Sequence, residues 1–262
     1  EVAVPDEVVQ LDVSTHAAWG GGLSIEQYLR RERVMRATAF ARRGLTQWVL
    51  RDGVTTLASL ESFAFEVTIA GRREKGRGHG IASVYVEPAH RGRGHASELC
   101  RRVHETFKKE GALACHLMSE VGPKLYAQLG YVARPLFSRR YAAALPTETH
   151  GATPPWRLLY EADVAAALSS RKLPLRPLRV EISTEHVLWH VARSRFYAAV
   201  AAKKTDFAVG AQAGEAIALW APDSRDDVLR ILTLYPGSRL AAPGAVFEPR
   251  STEAEALRNV LH

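Results

Sequence analysis

Cysteine is nearly absent: the 262 residues contain two, Cys100 and Cys115. A disulfide framework and a cysteine-rich zinc site are therefore excluded. Long apolar runs are missing too, and nothing approaches the ~18 residues that a membrane-crossing helix requires. Glu1 to Gln10 has neither a basic start nor an apolar stretch, so no secretory leader is expected and the sequence reads as a soluble, cytoplasmic protein. No internal repeat and no low-complexity tract occurs. Acidic residues are the scarcer charge, 28 against 35 Lys and Arg, for a net charge of +7. That excess suits an anionic ligand, either a phosphate-bearing cofactor or nucleic acid. With 47% hydrophobic and 24% charged residues the composition is that of an ordinary globular protein, long enough for one large or two modest domains.

Ser24-Ile25-Glu26-Gln27 has the pattern of a capping box, and a helix is expected from there to about Arg43, ending at Gly44. Thr46 to Leu50 and Val54 to Ile69 read as strands joined through Asp52-Gly53, a hairpin signal. Gly71 to Gly80 holds four glycines and no apolar residue, and is expected to be a loop. Ile81 to Val86 is a further strand, ended by Pro88. Ala96, Leu99, Cys100, Val103 and Phe107 recur at intervals of three and four, as on a helix with one buried face. Ala112 to Met118 reads as a short strand, Lys124 to Leu129 as a helix, and Tyr131 to Tyr141 as one or two strands. Leu145 to Pro155 is a linker rich in Pro and Thr. After it come a helix over Val187 to Ala202 and a strand over Glu215 to Trp220. The fold class is α/β with a mixed sheet: one domain over 1–146 and a smaller C-terminal α/β domain over 147–262.

The most informative segment is Arg91-Gly92-Arg93-Gly94-His95-Ala96-Ser97, between a strand and an amphipathic helix. Glycines there let several N–H groups converge, and the helix N-terminus adds partial positive charge, which together make an anion cradle suited to a pyrophosphate. No Gly-Lys-Ser/Thr follows, so it is not a Walker loop, and the three-glycine dinucleotide fingerprint is absent. The alternative is a glycine-rich turn with solvated arginines.

In context, Val84-Tyr85-Val86-Glu87-Pro88 followed by Arg91, Gly94 and Ala96 resembles the acetyl-CoA signature of the Gcn5-related N-acetyltransferase (GNAT) superfamily. Leu125-Tyr126, followed by Gly130-Tyr131, resembles its second signature. The resemblance covers about residues 20–142. Looser likenesses, in Thr46–Leu50, Leu57–Glu61, Gly80–Tyr85, Ser119–Gly122, Trp189-His190, Arg193, Phe196-Tyr197 and Ala218–Trp220, are to fungal-type lysine N6-acetyltransferases. The resemblance implies acetyl-CoA as cosubstrate, no metal, and a small primary amine such as free lysine as acceptor. It further implies that Ile81–Val86 and Ala112–Met118 part to admit the acetyl-pantetheine, with backbone groups near Val84 and Val86 aligning it. Arg91 to Ser97 would take the pyrophosphate, and Tyr126 would protonate the departing thiolate. The alternative is a packed helix tyrosine that only orients the sulfur.

By the two-residue period of a strand, Glu61 is the only charge on the row Leu57, Ser59, Phe63, Phe65, Val67 and Ile69. Partial desolvation there would raise its pKa toward that of a general base. It could instead hold the substrate ammonium, or a bulge could turn it to solvent. Glu120 is the second candidate base. Trp189, His190, Arg193 and Tyr197 share a helix whose arginine could bind an acceptor carboxylate, though a polar outer face is the simpler reading. His186 and His190 are too few for zinc. His79, His90, His95 and His104 read as loop and surface residues, and Cys100 and Cys115 as core. The basic run Arg72 to Arg77 lacks interleaved aromatics, so nucleic acid is disfavoured as a partner. A protein or antibiotic amine acetyltransferase, and an acetyl-CoA sensor without turnover, remain as alternatives.

Overall fold

The computed structural model describes residues 1–69, 74–133, 156–171, 178–226, 228–235 and 237. The chain divides into two compact units, one of Glu1–Leu136 with Pro177–Glu181, the other of Phe137–Arg176 with Ile182–His262. The linker expected at Leu145 to Pro155 lies outside the described residues, as does most of Tyr131 to Tyr141, of which 131–133 are not strand. Among the described residues no helix is long and apolar enough to cross a membrane.

The first unit opens with α1 (Pro5–Trp19), α2 (Ile25–Arg36) and α3 (Ala39–Gly44). The single helix expected to Arg43 is two, because Thr38 interrupts it. The Thr38 hydroxyl donates to the Met35 carbonyl at 2.7 Å and accepts from the Ala41 N–H at 3.3 Å, ending one helix and capping the next. At the start of α2 the Ser24–Gln27 capping box is present. No apolar period announces α1, since the side chains it buries include Asp12 and Thr15. Both are satisfied from α2: Arg36 grips Asp12 through two hydrogen bonds, and Thr15 shares one with the Tyr28 hydroxyl.

The sheet has the order β1 (Leu45–Asp52), β2 (Thr55–Ile69), β3 (Glu74–Val86), β4 (Ala114–Leu117), and a short β6 (Arg179–Val180) also pairs with β2. β1, β2 and β3 are antiparallel, whereas β4 runs parallel to β3. Residues 74–80 are strand and not the loop expected from their composition. They pair with β2 from Ile69 opposite Glu74 to Phe63 opposite Gly80. The glycines are explained by crowding: a Cβ on Gly76 would lie 2.8 Å from the Leu113 side chain, and one on Gly78 would run into Val67 and Phe65. This also corrects the reading of His79, which is buried and stacked on Phe107 with ring centres 3.8 Å apart.

One face of the sheet carries α4 (His95–Lys109), whose Leu99, Cys100, Val103 and Phe107 bury against Leu50, Ala58, Leu60 and Ile81. Tyr126, on the short α5 (Lys124–Ala127), joins that core. Each large apolar side chain fully buried there contributes about 1.5–3 kcal/mol. Side chains of the opposite parity meet the N-terminal helices: Phe40 stacks on Phe63 at 5.9 Å, and Trp19 meets Tyr85 edge-on at 5.7 Å.

The second unit is an antiparallel sheet of order β5 (Arg157–Leu159), β7 (Gly210–Ala213), β8 (Ala216–Asp223), β9 (Val228–Tyr235), with α6 (Val164–Ser169) and α7 (Thr184–Val200). Val187 and Val191 of α7 pack on Leu159, Val209, Ile217 and Leu219, and Ser183 caps the helix by accepting from the His186 N–H.

Gly78→Val places two methyl groups where Val67 and Phe65 already sit. Overpacking of this kind costs about 1–3 kcal/mol. A lowered denaturation midpoint for the first unit is expected, and an unchanged midpoint would contradict the close packing around β3.

Candidate active site

Two local irregularities in β3 shape the site. The first is a bulge. Ser59 pairs with Tyr85 and Glu61 with Ala82, so Ser83 and Val84 together oppose Leu60. Ser83 takes a left-handed backbone, φ 54°, which a non-glycine residue adopts only under constraint. The extra residue shifts the side-chain parity. Ile81, Val84 and Val86 all pack toward the α4 core, while Tyr85 faces Trp19 of α1.

The second irregularity is the end of the parallel pairing. β4 matches β3 from Gly78 opposite Ala114 to Ile81 opposite Leu117 and stops, while β3 continues to Val86. Along Ala82–Val86 the edge of β3 that faced β4 has no strand partner among the described residues. An extended chain bearing amide groups can lie against such an edge. Met118 and Val121, just past β4, are 80% exposed, an apolar surface beside the opening.

Beyond β3, a 3₁₀ turn (Pro88–His90) leads into the glycine loop. Gly92 and Gly94 have φ of 76° and 82°, and Gly94 is the N-cap of α4. A Cβ on either would meet nothing within 4 Å, so the glycines are set by backbone conformation and the space in front of them is open. The first N–H groups of a helix lack internal acceptors, and here they belong to His95, Ala96 and Ser97 at the mouth of that space. Arg91 is tied back, its Nε donating to the Val86 carbonyl at 3.1 Å and its guanidinium lying over Tyr85. Arg93 is exposed. The loop thus presents backbone donors and positive charge with no side chain filling the cradle, which fits a pyrophosphate.

Glu61 lies one strand away, on the α1–α2 side. Its Oε2 accepts from the Ser83 hydroxyl at 2.8 Å and its Oε1 from Gln47 Nε2 at 3.4 Å, with Arg36 3.8 Å away. Arg36 is held by Asp12 at 2.5 and 2.6 Å and lies 3.7 Å from Glu32, which Arg31 also contacts. Three carboxylates therefore share two guanidinium groups in a partly buried cluster. Burial, then the negative charge of Glu32, pushes the Glu61 pKa above the usual carboxylate value, while the Ser83 hydrogen bond and Arg36 oppose the shift. The bulge weighed as a way of turning Glu61 to solvent is present, and it instead supplies the hydroxyl that holds the carboxylate. Glu120 is exposed in the segment after β4.

Tyr126 is buried, edge-on to Tyr131 with ring centres 6.0 Å apart, and burial raises its pKa, so the phenol is protonated at neutral pH. Val84 and Val86 pack on the same core. In the second unit, Tyr197 is buried, Arg193 lies over its ring at 5.5 Å, and Trp189 is edge-on to His190 at 4.9 Å. Asp12, Glu32, Arg36 and Ser83 escaped sequence reasoning. Their convergence depends on a helix pair and a bulge that leave no local signature, although Ser83 lay within a motif already singled out. Among the described residues no group of three His, Cys, Asp or Glu side chains is gathered for a metal ion.

The sheet is thus mixed, and its parallel pair ends before β3 leads into a glycine loop at a helix N-terminus. Residues 25–133 match the model of the acetyltransferase (GNAT) domain family. A lysine acetyltransferase of Yarrowia lipolytica is 30% identical over 108 residues, 39% of this chain. The match spans 28% of that relative's length. Among solved structures, a GCN5-related N-acetyltransferase from Ralstonia eutropha is 21% identical, with a TM-score of 0.44, covering 54% of this chain and 97% of that one. A GNAT family acetyltransferase from Brucella melitensis, in complex with acetyl-CoA, is 24% identical, with a TM-score of 0.38 and coverages of 51% and 81%.

Ser83→Ala removes the hydrogen bond that favours ionised Glu61, so the Glu61 pKa should rise further above its wild-type value. Carboxyl-carbon NMR titration measures this directly, and an unchanged or lowered pKa would remove Ser83 as the group stabilising the charge.

Proposed function

We propose that this protein transfers an acetyl group from acetyl-CoA to the primary amine of a small cationic acceptor, with the side-chain amine of free lysine as the leading candidate. The observation that carries the reading is the carboxylate of Glu61, its pKa raised, held by Ser83 at the bulge where β3 leaves β4. A net negative cluster attracts an ammonium ion, and a carboxylate with a raised pKa can then accept its proton. The likeness to a lysine acetyltransferase supports lysine as the acceptor.

Arg91, Gly92, Arg93, Gly94, His95, Ala96 and Ser97 hold the pyrophosphate, and the free edge of β3 at Val84 and Val86 aligns the pantetheine. Bound acetyl-CoA supplies the acetyl group as a thioester. Backbone N–H groups of that edge donate to the carbonyl oxygen on which negative charge develops. Glu61 takes the proton that the amine must lose before its lone pair can attack, and Glu120 is the alternative base. Tyr126 gives its phenolic proton to the departing thiolate. Holding amine and thioester in one geometry supplies a large part of the rate. Acceptor selection by the second unit, through Trp189, His190, Arg193 and Tyr197, belongs to the same proposal.

Gly94→Glu fills the cradle with a side chain and a negative charge in a backbone conformation that disfavours any side chain. A folded Gly94→Glu protein should lose acetyl-CoA binding by calorimetry, and near-normal affinity would refute the cradle. Thiol release on addition of acetyl-CoA and a panel of amines tests the reaction itself. In that assay Tyr126→Phe should lower kcat while acetyl-CoA affinity stays the same. Equal kcat in the two proteins would take the acid role from Tyr126.

A further inference from the structure

The contact between α1 and α2 places Arg36 near three carboxylates, and only one of them holds it. Asp12 accepts from both terminal nitrogens, at 2.5 and 2.6 Å, an end-on bidentate grip. Glu32 and Glu61 lie 3.7 and 3.8 Å from the same guanidinium, outside hydrogen-bonding distance. Nη2 is the nitrogen nearest both of them, and the adjacent Nε–H is buried with no acceptor among the described residues. Leaving a buried donor unpaired is costly. A carboxylate set side-on against Nε and Nη2 would satisfy it, and Glu61 is close enough to be that carboxylate.

The two acids left outside differ in what already satisfies them. Glu32 Oε1 accepts from Arg31, from Nε at 2.9 Å and from a terminal nitrogen. Glu61 accepts from neutral groups, the Ser83 hydroxyl of β3 at 2.8 Å and the Gln47 amide of β1 at 3.4 Å. Among the described residues the charges that act on it are Asp12 from α1 and Glu32 and Arg36 from α2. A carboxylate locked to arginine by two charge-assisted hydrogen bonds accepts a proton poorly, because the guanidinium does not give up its charge. Glu61 escapes that fate. Burial and then Glu32 keep its pKa raised, and Arg36 opposes the shift only from a distance. The side chain of Asp12 is buried and, among the described residues, is bonded to Arg36 alone.

We propose that Asp12 is a positioning residue for the proton-accepting carboxylate: by gripping Arg36 end-on it keeps the guanidinium off Glu61, which stays able to take the proton of a substrate ammonium ion. The role of Glu61 rests on the acetyl-transfer reading, whereas the restraint of Arg36 by Asp12 does not.

The test follows Glu61 itself, by carboxyl-carbon NMR titration of the full chain without acetyl-CoA. Asp12→Asn cannot hold Arg36 by charge, so Arg36 should turn to Glu61 and the Glu61 pKa should fall. Loss of the repulsion between Asp12 and Glu61 acts in the same direction. Arg36→Gln removes the cation and leaves Asp12, so the Glu61 pKa should rise above its native value. A contact that serves only to hold α1 on α2 would not move the two variants in opposite directions. The double variant Asp12→Asn/Arg36→Gln leaves no unpaired charge between the helices, and it carries the test if Asp12→Asn alone unfolds. With no guanidinium to turn inward, its Glu61 pKa should be no lower than native, because Arg36 acts on Glu61 more strongly than Asp12 does. In thiol release with acetyl-CoA and an amine acceptor, Asp12→Asn should lower kcat roughly tenfold, part of the roughly 10²–10⁴-fold that general-base catalysis supplies, and the double variant should recover most of the loss. An unchanged or raised Glu61 pKa in Asp12→Asn, or a Glu61 pKa below native in the double variant, would overturn the proposal. If the native protein still releases thiol, the acetyl-transfer reading survives that result. Opposite shifts in the two single variants, with no thiol release by the native protein from any amine, would uphold the restraint and count against that reading.

Discussion

The bulge at Ser83–Val84 is the constraint on which the first unit depends. A strand alternates its faces with period two, so an uninterrupted β3 would send Val84 and Val86 to the face opposite Ile81 and away from α4. One extra residue lets Ile81, Val84 and Val86 all join the core under α4 and turns Tyr85 toward Trp19. The same residue, in a left-handed conformation, carries the hydroxyl that meets Glu61. The strain of that backbone, of order 1–3 kcal/mol, is offset by the surrounding packing. A single local distortion thus orders the core and holds a carboxylate.

Around this point the N-terminal helices perform an electrostatic task as well as a packing one. The Arg36–Asp12 pair ties α2 to α1, and Arg36 also reaches toward Glu32 and Glu61. Removing one partner of a well-buried ion pair costs about 3–5 kcal/mol. This pair is partly exposed, and its cost falls below that range. It also bears on the site, because burial raises the Glu61 pKa most, Glu32 raises it further and Arg36 opposes the shift. Packing under α4 and charge on the α1–α2 side are therefore separate contributions to one site.

The glycine loop, the amphipathic α4 and the Asp52-Gly53 hairpin were legible in the sequence because each is a local pattern: φ > 0 demands glycine, a buried helix face demands a period of three to four, and a tight turn demands turn residues. Glu61 was legible as one charge on a mostly apolar row. Local composition misled where the neighbours decided. Residues 74–80 look like a loop, yet β2 supplies a full ladder of partners and the Val67, Phe65 and Leu113 side chains occupy the space that glycine leaves. The helix α1 escaped notice because its buried face includes Asp12 and Thr15, polar groups that only α2 can satisfy. Ser83 and Arg36 acquire meaning only from partners 22 and 24 residues away. The sequence by itself determined the class of fold and the glycine loop before α4, whose residues are contiguous. Tertiary structure alone decided the environment of Glu61, because a charge's solvation and partners are set by the elements that pack around it.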